Sequence, residues 1–144
     1  MTLPVTLAAA GAAALINLWL AVRIVRIRLG QKILYGDGGD AKLAARMRAQ
    51  LNFAEYTPIV LILIAAIEWN VGSSIWLAGA ATLYLAGRIA HPIGMDGWLP
   101  ARQFGTLTTF GVTAVLGLTA LALPFVARPI MATDGPVVPS VYRG

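Results

Sequence analysis

Apolar residues fill this chain in long runs separated by short polar stretches. Residues 3–22 carry no charge and one internal amide, Asn17, before Arg23, Arg26 and Arg28 close the run. A helix rises 1.5 Å per residue, so a hydrocarbon layer of about 30 Å takes roughly 20 residues to cross. The first run is therefore one span, with its helix expected over about 3–28. Nothing basic precedes it, as it would in a signal peptide, so the segment is expected to stay in the mature protein. A third helix is expected over about 73–95 and a fourth over about 101–127. Pro100 stands at the opening of the fourth, where a missing N–H is harmless, and Arg128 and Pro129 close it. Residues 129–144 hold three prolines and little that could pack, which reads as a poorly ordered tail.

The second run breaks the pattern. Its clean apolar part, residues 56–67, is too short to cross alone. Extended backward through Glu55, Asn52 and Arg48 it becomes a helix over about 41–69, with polar groups near or inside the apolar layer. Such groups are costly there and face a bundle interior or a wet cavity. Arg48, Asn52 and Glu55 stand at i, i+4 and i+7, which puts them on one helical face.

Composition agrees with lipid as the solvent: 58% of the 144 residues are apolar and 12% charged, about half the charge a soluble domain carries. The fold class is therefore all-α, an integral membrane four-helix bundle in one domain over residues 1–128. Cysteine is absent, which excludes disulfides, thiolate metal sites and a Cys nucleophile. One histidine, His91, is too few for a multi-histidine metal site. The net charge of +5 is explained by membrane orientation rather than by nucleic acid. Nine of the eleven Lys and Arg residues lie in or beside loops one and three. Those loops are thus expected on the cytoplasmic side, with both termini outside. Trp69, Trp76 and Trp98 fit as interface anchors.

Candidate chemistry gathers on that charged side. Tyr84, Arg88 and His91 repeat the i, i+4, i+7 spacing on the third helix, Arg102 begins the fourth, and Arg23 and Arg26 close the first. Arg102 works against its helix dipole, so topology or an anionic ligand must account for it. Arginine holds carboxylates in bidentate fashion, and Glu55 can accept an ammonium, a combination suited to a small peptide or amino-acid derivative. Plainer alternatives stand beside this: an interhelical salt-bridge ladder through Arg48 and Glu55, Arg88 snorkelling to headgroups, and His91 as a hydrogen-bonded structural histidine. The loop Gly36-Asp37-Gly38-Gly39-Asp40 lacks the Gly-Lys-Ser/Thr ending of a phosphate loop and reads as a turn, with Asp40 as N-cap of the second helix. Gly79, Ala80, Gly111 and Gly117 permit close helix contact.

At these residues the chain resembles the MAPEG family, membrane-associated proteins in eicosanoid and glutathione metabolism. Arg48-Ala49-Gln50-Leu51-Asn52-Phe53-Ala54-Glu55-Tyr56-Thr57-Pro58 looks like the family signature. Gly87-Arg88-Ile89-Ala90-His91 is similar to a third-helix segment of the prostaglandin-forming branch. Pro100-Ala101-Arg102 matches the Pro-x-Arg that opens the fourth helix. Gly36 to Asp40, together with His91-Pro92-Ile93-Gly94-Met95, looks like the bacterial branch. The resemblance covers about residues 5–127.

The resemblance implies a homotrimer binding glutathione between subunits near the cytoplasmic side, with a lipophilic co-substrate arriving from membrane lipid. By matching position, Arg48, Asn52, Glu55 and Tyr56 would hold glutathione, with Gln50 nearby, and Arg26, Arg88 and His91 would add contacts. Arg102 would stabilise the thiolate, making this a glutathione transferase or peroxidase of the bacterial inner membrane. Met95 and Thr106 stand where catalytically competent members often carry tyrosines, and His91 replaces a tyrosine found in some. A non-catalytic lipid-binding or scaffolding member is therefore the alternative. A proton-coupled exporter using Glu55 is a third reading, weakened because Arg48 and Asn52 would hold that carboxylate ionised.

Overall fold

A computed structural model describes residues 2–126, and the tail expected over 129–144, with Arg128, lies outside the described residues. Four helices follow in order: α1 (Pro4–Gln31), α2 (Ala41–Val71), α3 (Ile75–Met95) and α4 (Leu99–Val126). Each apolar run has become a helix, and the boundaries differ from expectation by two or three residues where capping decides them. α1 continues past Arg28 to Gln31 and stops at Lys32, which takes a left-handed conformation. α2 opens at Asp40, whose Oδ1 accepts the Leu43 N–H at 2.6 Å, as expected for an N-cap. Gln31 donates to the other carboxylate oxygen at 2.7 Å and so closes the first loop on itself.

Helices α1, α2 and α4 are each long and apolar enough to cross a membrane. α3 has 21 residues and buries Arg88 and His91 on its inner side. Every helix turns one stripe inward. On α1 it is Ala9, Ala13, Ile16, Leu20 and Ile24; on α4 it is Ala101, Gly105, Thr109, Val112 and Leu116. Ala9, Val112 and Leu116 meet Val60, Ile64 and Ile67 of α2 and Leu77, Ala81 and Tyr84 of α3 in one core cluster, and Ala13, Ile16 and Leu20 pack with Phe53 of α2 in a second. Large side chains such as Leu15, Leu18, Ile62, Leu107 and Leu118 point outward. Helices apolar on both faces are what a lipid solvent requires, because the backbone is satisfied internally and no polar surface is needed.

Two polar clusters fix the connectivity of the bundle. Glu68, near the end of α2, accepts the backbone N–H groups of Val5 and Thr6 at the start of α1. Asp96, just after α3, pairs with Arg23 of α1 and with Arg46 of α2. α1 and α2 are therefore antiparallel, and the Arg46–Asp96 pair puts the first and third loops at the same end. The trio also sets the electrostatics there. Partial burial favours the neutral form of Asp96, but hydrogen bonds from Arg46 and the nearby Arg23 charge outweigh it and hold the carboxyl below its usual range.

α3 and α4 approach most closely, and glycine makes the approach possible. A methyl group on Gly94 would lie 2.1 Å from the Arg102 backbone nitrogen, and one on Gly105 would lie 2.6 Å from the Cβ of His91. Gly79, Gly111 and Gly117, small residues that permit close contact, face outward instead, with nothing among the described residues within 4 Å of an added methyl.

Candidate functional site

The polar face of α2 divides between two neighbours. Arg48 and Glu55 remain on the protomer surface, 62% and 44% exposed, with Arg48 Nη1 3.8 Å from Glu55 Oε1. Asn52, between them on the same face, is half-buried and turns toward α3. Its Oδ1 accepts from both Nη1 and Nη2 of Arg88, each at 3.0 Å. Of the plainer alternatives, the Arg48–Glu55 ladder is thus a loose contact within one helix rather than a bridge between helices.

Arg88 does not snorkel. It is 1% exposed and lies 5.9 Å from the centroid of the Tyr84 ring, while the Tyr84 hydroxyl sits 3.0 Å from that of Thr57 on α2. No carboxylate lies within ion-pair distance of Arg88 among the described residues. Its Nε, and Nδ1 of His91 one turn further on, are buried without a hydrogen-bond partner among the described residues. His91 packs against Gly105 on the α3–α4 seam, so the hydrogen bond expected of a structural histidine is not made at Nδ1.

The remaining expected residues stand apart from this pair within one protomer. Tyr56 is half-buried, its ring 5.8 Å from that of Phe110 on α4. Gln50 projects from another side of α2 but shares with Arg48 a groove of about 610 Å³, lined also by Asn17, Ile24 and Arg28 of α1. Arg102 is exposed and lines a second groove of about 570 Å³ with Leu99, Gln103 and Thr106. Arg26 is exposed, with no hydrogen bond or ion pair among the described residues. Asn52 and Arg88 thus come together directly, Arg48 and Glu55 flank them, Gln50 shares a groove with Arg48, and Arg26 and Arg102 point elsewhere.

Two clusters escaped the sequence reading. Arg23 reads there only as the mark of a helix exit, yet with Asp96 and Arg46 it ties three elements together, and it also stacks 4.8 Å from the Trp19 ring. Glu68 went unremarked. A carboxylate at the end of an apolar run is the signal that could have flagged it.

The order of the helices, the signature on α2 and its pairing with α3 agree with a family match. The MAPEG family model covers residues 6–122. The chain belongs to the MAPEG family. It is also similar to the inner membrane protein YecN of Escherichia coli K12, at 34% identity over 82 residues, which is 56% of this chain and 62% of that protein. The YecN protein of E. coli O6:H1 strain CFT073 matches to the same extent. The MAPEG chain described here thus spans less than two thirds of these relatives' length. Membership agrees with the four-helix architecture.

Proposed function

We propose that this MAPEG member is a homotrimeric enzyme of the bacterial inner membrane that binds glutathione and uses it on lipophilic electrophiles. The observation that carries the reading is Arg88: a guanidinium buried without a carboxylate among the described residues and bonded to Asn52, which stands on the same face of α2 as the exposed Arg48–Glu55 pair. A buried cation without a counter-charge costs several kcal/mol, and an anionic ligand placed beside Asn52 offsets part of that cost. Arg48 takes a carboxylate, Glu55 an ammonium, and Tyr56 borders the same face. Within one chain Arg26 points away from this face and Gln50 reaches it only through the groove it shares with Arg48, and in the trimer a neighbouring copy brings its own Arg26 and Gln50 to it.

Glutathione supplies the thiol that adds to the electrophile. The positive charge of Arg102 favours its thiolate form, which is the nucleophile. The lipophilic partner enters from the bilayer beside Leu99 and Leu107. Loops one and three, with nine of the eleven basic residues, face the cytoplasm, and both termini lie outside. Calorimetry on detergent-purified protein tests the reading: binding in the millimolar range or tighter is expected, and it is lost in Arg48→Ala. No heat of binding at millimolar glutathione refutes it.

One observation favours a non-catalytic member. The Thr106 hydroxyl donates to the Arg102 carbonyl of its own helix at 3.0 Å, so neither it nor Met95 offers a free hydroxyl to a thiol. Conjugation of lipophilic electrophiles that depends on Arg102 excludes this second reading.

A further inference from the structure

The Asn52–Arg88 contact fixes what Asn52 can offer a ligand. A guanidinium has five N–H donors and no acceptor. Both terminal nitrogens of Arg88 converge on one atom, Oδ1 of Asn52, at 3.0 Å each. The amide oxygen is therefore held inward, and the Nδ2 amino group is the end left for the site. A flipped amide would set its own N–H groups against two N–H donors beside a full positive charge. Arg88 is held in turn, because the Tyr84 ring lies 5.9 Å from it and the hydroxyl of that ring is bonded to Thr57. At 1% exposure, with both terminal nitrogens engaged, Arg88 does not itself reach a ligand on the protomer surface.

We propose that Arg88 is a positioning residue acting through Asn52, and that Asn52 is an obligate hydrogen-bond donor reading an acceptor oxygen, a carboxylate or peptide carbonyl, in the bound peptide. The identity of that peptide rests on the glutathione reading above; the donor sense of Asn52 does not. Glu55 complements it as the acceptor of the same face. A zwitterionic peptide is then read in one direction along α2, with its ammonium at Glu55 and its acceptor oxygens toward Asn52 and Arg48, nearer the start of the helix.

Asn52→Asp tests this with little change in shape. The aspartate keeps Arg88 satisfied as an ion pair but removes the outward donor. The full chain in detergent is expected to hold or raise its unfolding midpoint while glutathione binding by calorimetry falls about tenfold to a hundredfold. Asn52→Leu strips Arg88 of its acceptor and lowers the midpoint. Arg88→Gln weakens glutathione binding in the wild-type background, yet costs nothing further in Asn52→Ala, the coupling expected when one residue acts through the other. Asn52→Asp binding glutathione as tightly as wild type, or an Arg88→Gln loss equally large in both backgrounds, overturns the proposal. Wild-type protein that takes up no glutathione refutes the functional reading instead. The ligand-free arm still decides the orientation, which is refuted if Asn52→Asp lowers the midpoint as much as Asn52→Leu.

Discussion

Glu68 accepts both the backbone N–H and the hydroxyl of Thr6, at 2.8 and 2.7 Å, so the end of one helix caps the beginning of another. Leu3, at the N-cap position of α1, has no side chain able to do this. The Val5 N–H at 2.9 Å and the Ser73 hydroxyl at 2.7 Å complete the set around the carboxylate. Glu68→Ala orphans the first N–H groups of α1 and is expected to cost about 2–4 kcal/mol. Glu68→Gln keeps one acceptor oxygen and should lose roughly half as much. Thermal unfolding of the two variants in the same detergent compares them.

Part of the acid sensitivity should trace to Asp96. Its carboxyl is held below the usual range, since hydrogen bonds from Arg46 and the Arg23 charge outweigh the effect of burial. A depressed folded-state pKa stabilises fully above the unfolded value, near pH 4, and that contribution disappears as pH falls through the folded value. The unfolding midpoint should therefore hold from neutral pH to about pH 5 and drop below about pH 4. Asp96→Asn should start lower and lose much of this acid limb, as a pH series of melting curves would register.

Gly105→Ala should be costly although alanine is the better helix former. The added methyl would meet the Cβ of His91 at 2.6 Å and the Gly87 carbonyl at 2.7 Å, so α3 and α4 must separate. A loss of about 1–3 kcal/mol is expected. Gly111→Ala, where nothing among the described residues lies within 4 Å, is the matched control and should hold or raise the midpoint of the detergent-solubilised protein.

The exposed pair on α2 should separate stability from binding. Arg48 and Glu55 are 3.8 Å apart and largely exposed, a geometry worth less than about 1 kcal/mol. Arg48→Ala and Glu55→Gln should melt close to wild type yet lose glutathione, as parallel melting and calorimetry would reveal.

Local chemistry was legible from sequence, and distant pairing was not. Asp40 caps α2 as expected because a cap and its target lie three positions apart. The i, i+4, i+7 spacing put Arg48, Asn52 and Glu55 on one face, but period alone does not say which neighbour each meets. Asn52 meets Arg88, 36 positions away, while Arg48 and Glu55 stay with one another. Composition likewise marks small residues without direction. Gly105 lies on the inward stripe of α4 with Ala101 and Thr109, whereas Gly111 lies off it. The partners of Glu68 on α1 are 62 and 63 positions distant, and nothing beside it announces them.

The inward stripe of α1 begins with Ala9 and Ala13, methyl groups that would pack almost equally well after a shift along the helix axis. Such a face is smooth and carries little information about alignment. The two ends supply it: Val5 and Thr6 are held at Glu68, and Arg23 is held at Asp96. Sliding α1 by even one residue, 1.5 Å, would break both attachments at once. Its longitudinal register is thus set by two carboxylates acting as end stops, and changing both, rather than enlarging the alanines between them, is what would set this helix loose.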